Sequence, residues 1–312
     1  MPSLNSVLFV TRAADTGHDG FDSAVALARQ HGAGLSVLVL TSDDISLAEE
    51  VGFADFNALL EQEAQDRSAD LIARLPAGMT VRAVEVRTGK LFLETIRAVL
   101  ADKHDIVVKA TEPPVGLIAR VFGSEDMRLL RKCPCPLWLV RPDAAIPPRR
   151  VLVCVTLDER EGADPTLNGR LVEAAIELLP KTEAAEVHIL HLWSAPGEYL
   201  ARSHRTGLSA RQVEEWISAI KVKHKTWFNE FVKDFAGRGD VRSRFAKGAP
   251  EFGIAEVAKE IAADIVVMGT VGRTGISGLL IGNTAETVLG QLDCSVLALK
   301  PLGFETPVKP ND

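Results

Sequence analysis

The residues best suited to chemistry lie in Met268–Leu289, MGTVGRTGISGLLIGNTAETVL, where five glycines fall within the fourteen residues from Gly269 to Gly282. Their spacing, G-x2-G-x9-G followed by Asn283, fits neither the GxxxxGK[ST] phosphate loop nor the GxGxxG dinucleotide turn. The parts nevertheless suit an anion. Glycine lets backbone approach a phosphate with no Cβ in the way, and a helix start presents unpaired N–H groups. NTAETVLGQL reads as such a start, with Asn283 as the expected N-cap and Glu286 three residues on as its capping-box partner. Arg273 supplies a cation, and Thr270, Asn283 and Thr284 supply neutral donors, so the expected chemistry is the holding of a polyphosphate.

Such a loop works only where the fold places it. IVVMG, residues 265–269, is a continuous apolar run that reads as a buried strand, and ligands of open parallel sheets sit beyond the carboxyl ends of strands. A shift of 159 residues aligns two long pieces, VRTGKLFLETIRAVLADKHDIVVKAT from Val86 and FAKGAPEFGIAEVAKEIAADIVVMGT from Phe245, and the register then holds without a gap. Gly89 then falls on Gly248, Asp105 on Asp264, Gly123 on Gly282, Ser124 on Asn283 and Cys135 on Cys294. Each half opens with a short apolar strand, VLFV from Val7 or VLVCV from Val151, and strands then alternate with helical patterns, which implies βαβ units and parallel sheets. RPDAAIPPRR, Arg141–Arg150, reads as the linker, giving expected domains over 1–143 and 149–312.

Composition narrows the function classes. With 46% hydrophobic and 25% charged residues the chain is an ordinary globular one, and its net charge of −7 offers no general attraction for nucleic acid or an anionic membrane. No apolar run approaches the roughly 18 residues of a membrane span, and the N-terminus lacks the pattern of a signal peptide, so a cytoplasmic location is expected. Four cysteines in 312 residues make no disulfide framework.

The G-x2-G-x9-G loop after IVVMG, present in a chain of two matching halves, resembles the nucleotide loop of the universal stress proteins, and most of all the tandem, E-group members of that family. The resemblance implies a five-stranded parallel sheet in each half, the two pairing as an intramolecular pseudo-dimer. It also implies an adenine nucleotide such as ATP, with magnesium as a possible companion. By position, Met268 and Gly269 would line the adenine or ribose through their backbone and Leu192 would touch the base. Gly272, Gly282, Asn283 and Thr284 would hold phosphates. Two departures stand out: Thr156 occupies the place after the first strand where family nucleotide binders usually carry an aspartate, and Asn283 replaces a serine or threonine. The first half departs further, with Ala110 and Pro113 opposite Gly269 and Gly272, and Glu125 and Asp126 at the phosphate end, so a different, less anionic ligand is expected there.

Other residues read as structural. Cys133 and Cys135 are spaced C-x-C, not C-x-x-C, and are expected to pack; no metal ligand set is evident. His188 and His191 are three apart on a strand and point to opposite faces. Trp216, Trp227, Phe228 and Phe231 form a core-facing stripe on a long helix, while Lys221, Lys223, Lys225, Glu49, Glu50, Glu61 and Glu63 read as solvated surface. The leading function is therefore a nucleotide-binding regulator, possible partners being a second copy or another protein. A slow ATP hydrolase or phosphotransferase is the alternative, though Asp158 is the only carboxylate near the loop and no base or Walker lysine is in view; an interaction protein without nucleotide is the third reading.

Overall fold

The computed structural model describes residues 4–42, 56–112, 124–158, 164–180, 184–203, 206–238, 240–270 and 282–310. The first half comprises β1 (Ser6–Arg12), α1 (Asp19–His31), β2 (Gly34–Thr41), α2 (Phe56–Ala73), β3 (Ala83–Thr88), α3 (Leu91–Asp102), β4 (Ile106–Ala110), α4 (Ser124–Lys132) and β5 (Leu137–Val140). The second comprises β6 (Arg150–Cys154), α5 (Pro165–Leu178), β7 (Glu186–Trp193), α6 (Glu198–Ala201), α7 (Ala210–Lys233), β8 (Asp240–Lys247), α8 (Pro250–Glu260), β9 (Ile265–Gly269), α9 (Asn283–Leu289) and β10 (Ser295–Leu299). All ten strands join one sheet in the order β3-β2-β1-β4-β5-β10-β9-β6-β7-β8. Pairing is parallel within each half and antiparallel only at the β5–β10 seam, where Val296 faces Leu139 and Leu297 faces Trp138.

Strands buried on both faces explain the continuous apolar runs. Val7, Phe9, Val151 and Val153 point into one core with Phe21, Leu71 and Phe228; Leu8, Val10, Leu152 and Leu190 point into the other with Ile96, Leu129, Ile254 and Val288. Both cores run across the seam. The matched aspartates have the same work in each half: Asp105 accepts from the N–H groups of Asn5 and Ser6 at 2.8 and 2.9 Å, and Asp264 from those of Arg149 and Arg150, both at 2.8 Å. Each carboxylate thereby ties the start of its half's first strand to the start of the fourth.

Polar bonds fasten the seam as well. Arg131 pairs with Glu286 at 2.9 Å, the Arg141 N–H donates to Ser295 Oγ at 3.1 Å, and Gln30 Nε2 donates to the carbonyls of Glu177 and Leu179. Two expectations need correction. The helix after the glycine loop is capped by Gly282, with Asn283 its first helical residue, and Glu286 reaches across to Arg131 instead of back to a capping box. Trp216 is 37% exposed, and the buried stripe of α7 is Val213, Ile217, His224 and Phe228. Glu61, Glu63 and the three α7 lysines are exposed as expected; Glu49 and Glu50 lie outside the described residues.

Candidate functional site

Strand order creates one topological switch point per half. The second half runs from β6 outward to β7 and β8, then returns to β9 on the other flank of β6, so the crevice between the carboxyl ends of β6 and β9 is where a ligand of such a sheet sits. Thr156 lies just past β6 and is exposed, and Gly269 ends β9. Asn168 of α5, 5% exposed, fixes the crevice wall: its Oδ1 accepts from the Thr156 N–H at 3.2 Å and its Nδ2 donates to the Thr156 carbonyl at 2.6 Å. The sequence reading missed Asn168; its only signal was a polar residue on the apolar face of the LNGRLVEAAIELL helix.

On the opposite wall, the Gly282 N–H donates to the Thr270 carbonyl at 3.2 Å. Thr270 and Gly282, which flank residues 271–281, are therefore joined directly beyond β9. Gly272 and Arg273 lie within that segment, outside the described residues. Met268 buries its side chain in the core, leaving the backbone to face a ligand, and a Cβ on Gly269 would stand 3.0 Å from Leu167 Cδ2. Thr284 is engaged, its Oγ1 donating to Glu251 Oε1 at 2.8 Å. Leu192, near the end of β7, packs against Gly253 of α8, where an added Cβ would fall 2.8 Å from Leu192 Cδ1. Asn283 opens α9 beside Gly282. Thr156, Leu192, Met268 and Gly269 thus lie at or just past the carboxyl ends of β6, β7 and β9, and the Gly282 N–H is engaged by Thr270.

Behind Thr156 sits a buried group that the sequence did not announce. His191 and His188 do point to opposite faces: His188 Nδ1 accepts from Arg244 at 2.8 Å, while His191 Nε2 meets His224 Nδ1 of α7 at 2.9 Å. Asp158 lies 4.0 Å from His224 Nε2, and Trp193, Phe228 and Phe245 enclose the pair. Burial pushes His191 down to about 4.

The equivalent crevice of the first half, between β1 and β4, is bridged. Arg12, which corresponds to Thr156, donates to Glu112 Oε1 at 2.6 Å, and Glu112 Oε2 accepts from the Glu125 N–H in the first turn of α4. Burial raises the Glu112 carboxyl, but the Arg12 bond and the charges of Lys109 and Arg12 outweigh it and hold the group below its ordinary value. The expected repulsion from Glu125 and Asp126 takes another form. Glu125 accepts from the Phe92 N–H of α3, and Asp126 accepts from Lys109 and from the Glu112 N–H. Glu112 is thus the chain's own anion at the first turn of α4. Beside it a cleft of about 390 Å³ remains, lined by Leu40, Leu60, Lys90 and Glu125 among others. Pro113 and Gly123 lie outside the described residues.

Comparison with known proteins agrees with this double architecture. The pattern of the Universal stress protein family matches residues 4–141 and again 148–300. Universal stress protein E of Escherichia coli K12 is 33% identical over 240 residues, covering 76% of this chain and 74% of the relative. A universal stress protein homologue crystal structure from Pseudomonas aeruginosa UCBPP-PA14 superposes with a TM-score of 0.68 at 23% identity, covering 96% of this chain and 94% of that one; one from Archaeoglobus fulgidus does so with 0.57 at 18%, covering 96% and 99%. The chain belongs to the universal stress protein family of stress-response proteins, with two family domains in tandem.

Proposed function

We propose that this protein is a regulator that binds an adenine nucleotide in its second half, and that its first half, the domain over 1–143, serves as a partner that takes no nucleotide. The observation that carries the reading is the contrast between the two switch-point crevices. Arg12–Glu112 spans the first, whereas the corresponding positions of the second are Thr156 and Val271, which cannot form an ion pair. A crevice without that bridge, with five glycines in residues 269–282 and the Gly282 N–H joined to the Thr270 carbonyl beside it, would offer backbone to hold a ligand.

Base and ribose would lie between Thr156, Leu192 and the Met268–Gly269 backbone, with phosphates toward Gly272, Arg273, Asn283 and Thr284. Glu251 beside Thr284 disfavours additional negative charge at that end unless a cation such as magnesium accompanies the phosphates. The first-half cleft supports a second reading for that half: with Glu112 already at the first turn of α4, a ligand there would carry no phosphate. Purification under native conditions followed by mass spectrometry of the released small molecules tests the main reading. An adenine nucleotide at up to one per chain is expected; a chain that retains none and binds none on titration would be an interaction protein.

A further inference from the structure

At the seam between the halves, Cys133 follows the last turn of α4 and Cys135 stands two residues before β5. The Cys133 N–H donates to the Leu129 carbonyl at 2.8 Å, which fixes that residue at the helix end. Pro134 between them restricts the backbone φ and lacks an N–H, so the short connection has little freedom. The two sulfurs lie 3.7 Å apart, in contact but not bonded, against about 2.05 Å in a disulfide. Cys133 is 1% exposed and Cys135 partly exposed.

A cation accompanies them. Lys300, just past β10, is 5% exposed, and its ammonium donates to the Leu130 carbonyl in the last turn of α4 and to Thr270 Oγ1. Burial lowers Lys300 to about 8, while the charge of Cys133 acts the other way. The sulfur pair responds as one unit. The hydrogen bond between the sulfurs lowers the Cys133 thiol and raises that of Cys135, and Lys300 adds to the lowering at Cys133. Loss of the first proton, from Cys133, is thereby favoured over loss of the second, from Cys135, the order required of an attacking thiolate beside a resolving thiol.

We propose that Cys133 and Cys135 form a reversible dithiol–disulfide site at the seam, oxidised by a peroxide. The Cys133 thiolate attacks one peroxide oxygen; the O–O bond breaks, and for hydrogen peroxide the departing hydroxide takes a proton to become water. Cys133 is left as a sulfenic acid. Cys135 Sγ then displaces that oxygen, the S–S bond forms, and the oxygen leaves as water with the Cys135 proton. The two sulfurs together lose two electrons and the peroxide gains two. A dithiol reductant reverses the change by exchange, and the small ring of a C-x-C bridge favours ready reduction.

The test uses the intact, reduced protein. Hydrogen peroxide treatment, alkylation under denaturing conditions and peptide mass spectrometry should show the Cys133–Cys135 peptide lighter by two hydrogens and unalkylated, with both thiols recovered after dithiothreitol. Cys135→Ser should stop at a sulfenic acid on Cys133 that dimedone traps. Lys300→Met should slow the oxidation by about three- to fourfold for each pH unit by which the thiol rises, the loss of thiolate being partly offset by its greater nucleophilicity, with Lys300→Arg restoring most of the rate. Two alkylatable thiols after peroxide, irreversible oxidation of one sulfur alone, or a disulfide to Cys154 or Cys294 instead would each overturn the proposal. The measurement on the unsubstituted chain decides even if a variant does not fold.

Discussion

His191 Nε2 stands 2.9 Å from His224 Nδ1, and His191 Nδ1 stands 3.2 Å from the Val155 carbonyl. A carbonyl only accepts, so His191 carries its proton on Nδ1 and accepts on Nε2 from the Nδ1–H of His224. His224 Nε2 then faces the Asp158 carboxylate at 4.0 Å. Protons thus run in one direction, from His224 to His191 to the backbone at the end of β6, immediately before Thr156. Protonating His191 at Nε2 reverses this order, because His224 must then accept on Nδ1 and carry its proton on Nε2, toward Asp158.

Acid should therefore unfold this half early. Burial lowers His191 from 6.5 to about 4, so the folded state binds fewer protons than the unfolded chain between those values. Its contribution is fully present above pH 6.5 and disappears as pH falls through 4, amounting to about 3 kcal/mol for this shift. Melting temperature should drop across that window, and His191→Phe should reduce the slope. Equal slopes in the two proteins would show that His191 is not the group responsible.

Asn168→Ala should separate wall from core. The substitution removes both bonds to Thr156, at a cost of about 1–3 kcal/mol, the net worth of two hydrogen bonds at a partly exposed wall. Nucleotide affinity should fall further than stability alone accounts for, since the crevice edge is no longer fixed. Urea denaturation and an isothermal titration on the same sample would show it; unchanged affinity with lowered stability would confine Asn168 to the core.

Asp105→Ala and Asp264→Ala should each cost about 1 kcal/mol, because water can reach part of the exposed strand start and replace the lost bonds. Near-equal shifts in urea midpoint are expected, since the two carboxylates make the same pair of bonds. A large difference between them would mean that the halves do not share this fastening.

These aspartates also show what was legible in the chain. Covalent spacing survives duplication, so Asp105 and Asp264, Gly89 and Gly248, and the β4 and β9 runs could be matched by position, and with them the doubly wound fold and the loop at a strand end. Contacts made between distant segments leave no such record. His224 meets His191 from a helix 33 residues away, and Glu112 reaches both Arg12 and the first turn of α4 across a switch point. Cys133 and Cys135 do pack into the core as expected, but C-x-C spacing does not reveal that Lys300 of the other half reaches the last turn of α4 just before them. The Asn283 cap failed by one residue because Gly282 already held the cap geometry.

Stoichiometry tests the asymmetry between halves most directly. Arg12–Glu112 spans the first switch point and Glu112 holds the first turn of α4, so ATP titrated into the intact protein should occupy at most one site per chain. Gly282→Val should abolish that site. Gly282 has φ −60° and ψ 140°, which any residue can adopt, so the substitution introduces no backbone strain, and loss of binding would come from the side chain filling the space beside the loop. Melting temperature without nucleotide should therefore stay close to that of the parent, while Gly123→Val should leave binding intact. An affinity gap of about 1.4 kcal/mol between halves is already tenfold in dissociation constant, which calorimetry resolves. Two equivalent sites, or binding lost through Gly123 and kept through Gly282, would place the nucleotide in the half whose crevice the Arg12–Glu112 pair spans, and the reading of that pair as a substitute for ligand would be wrong.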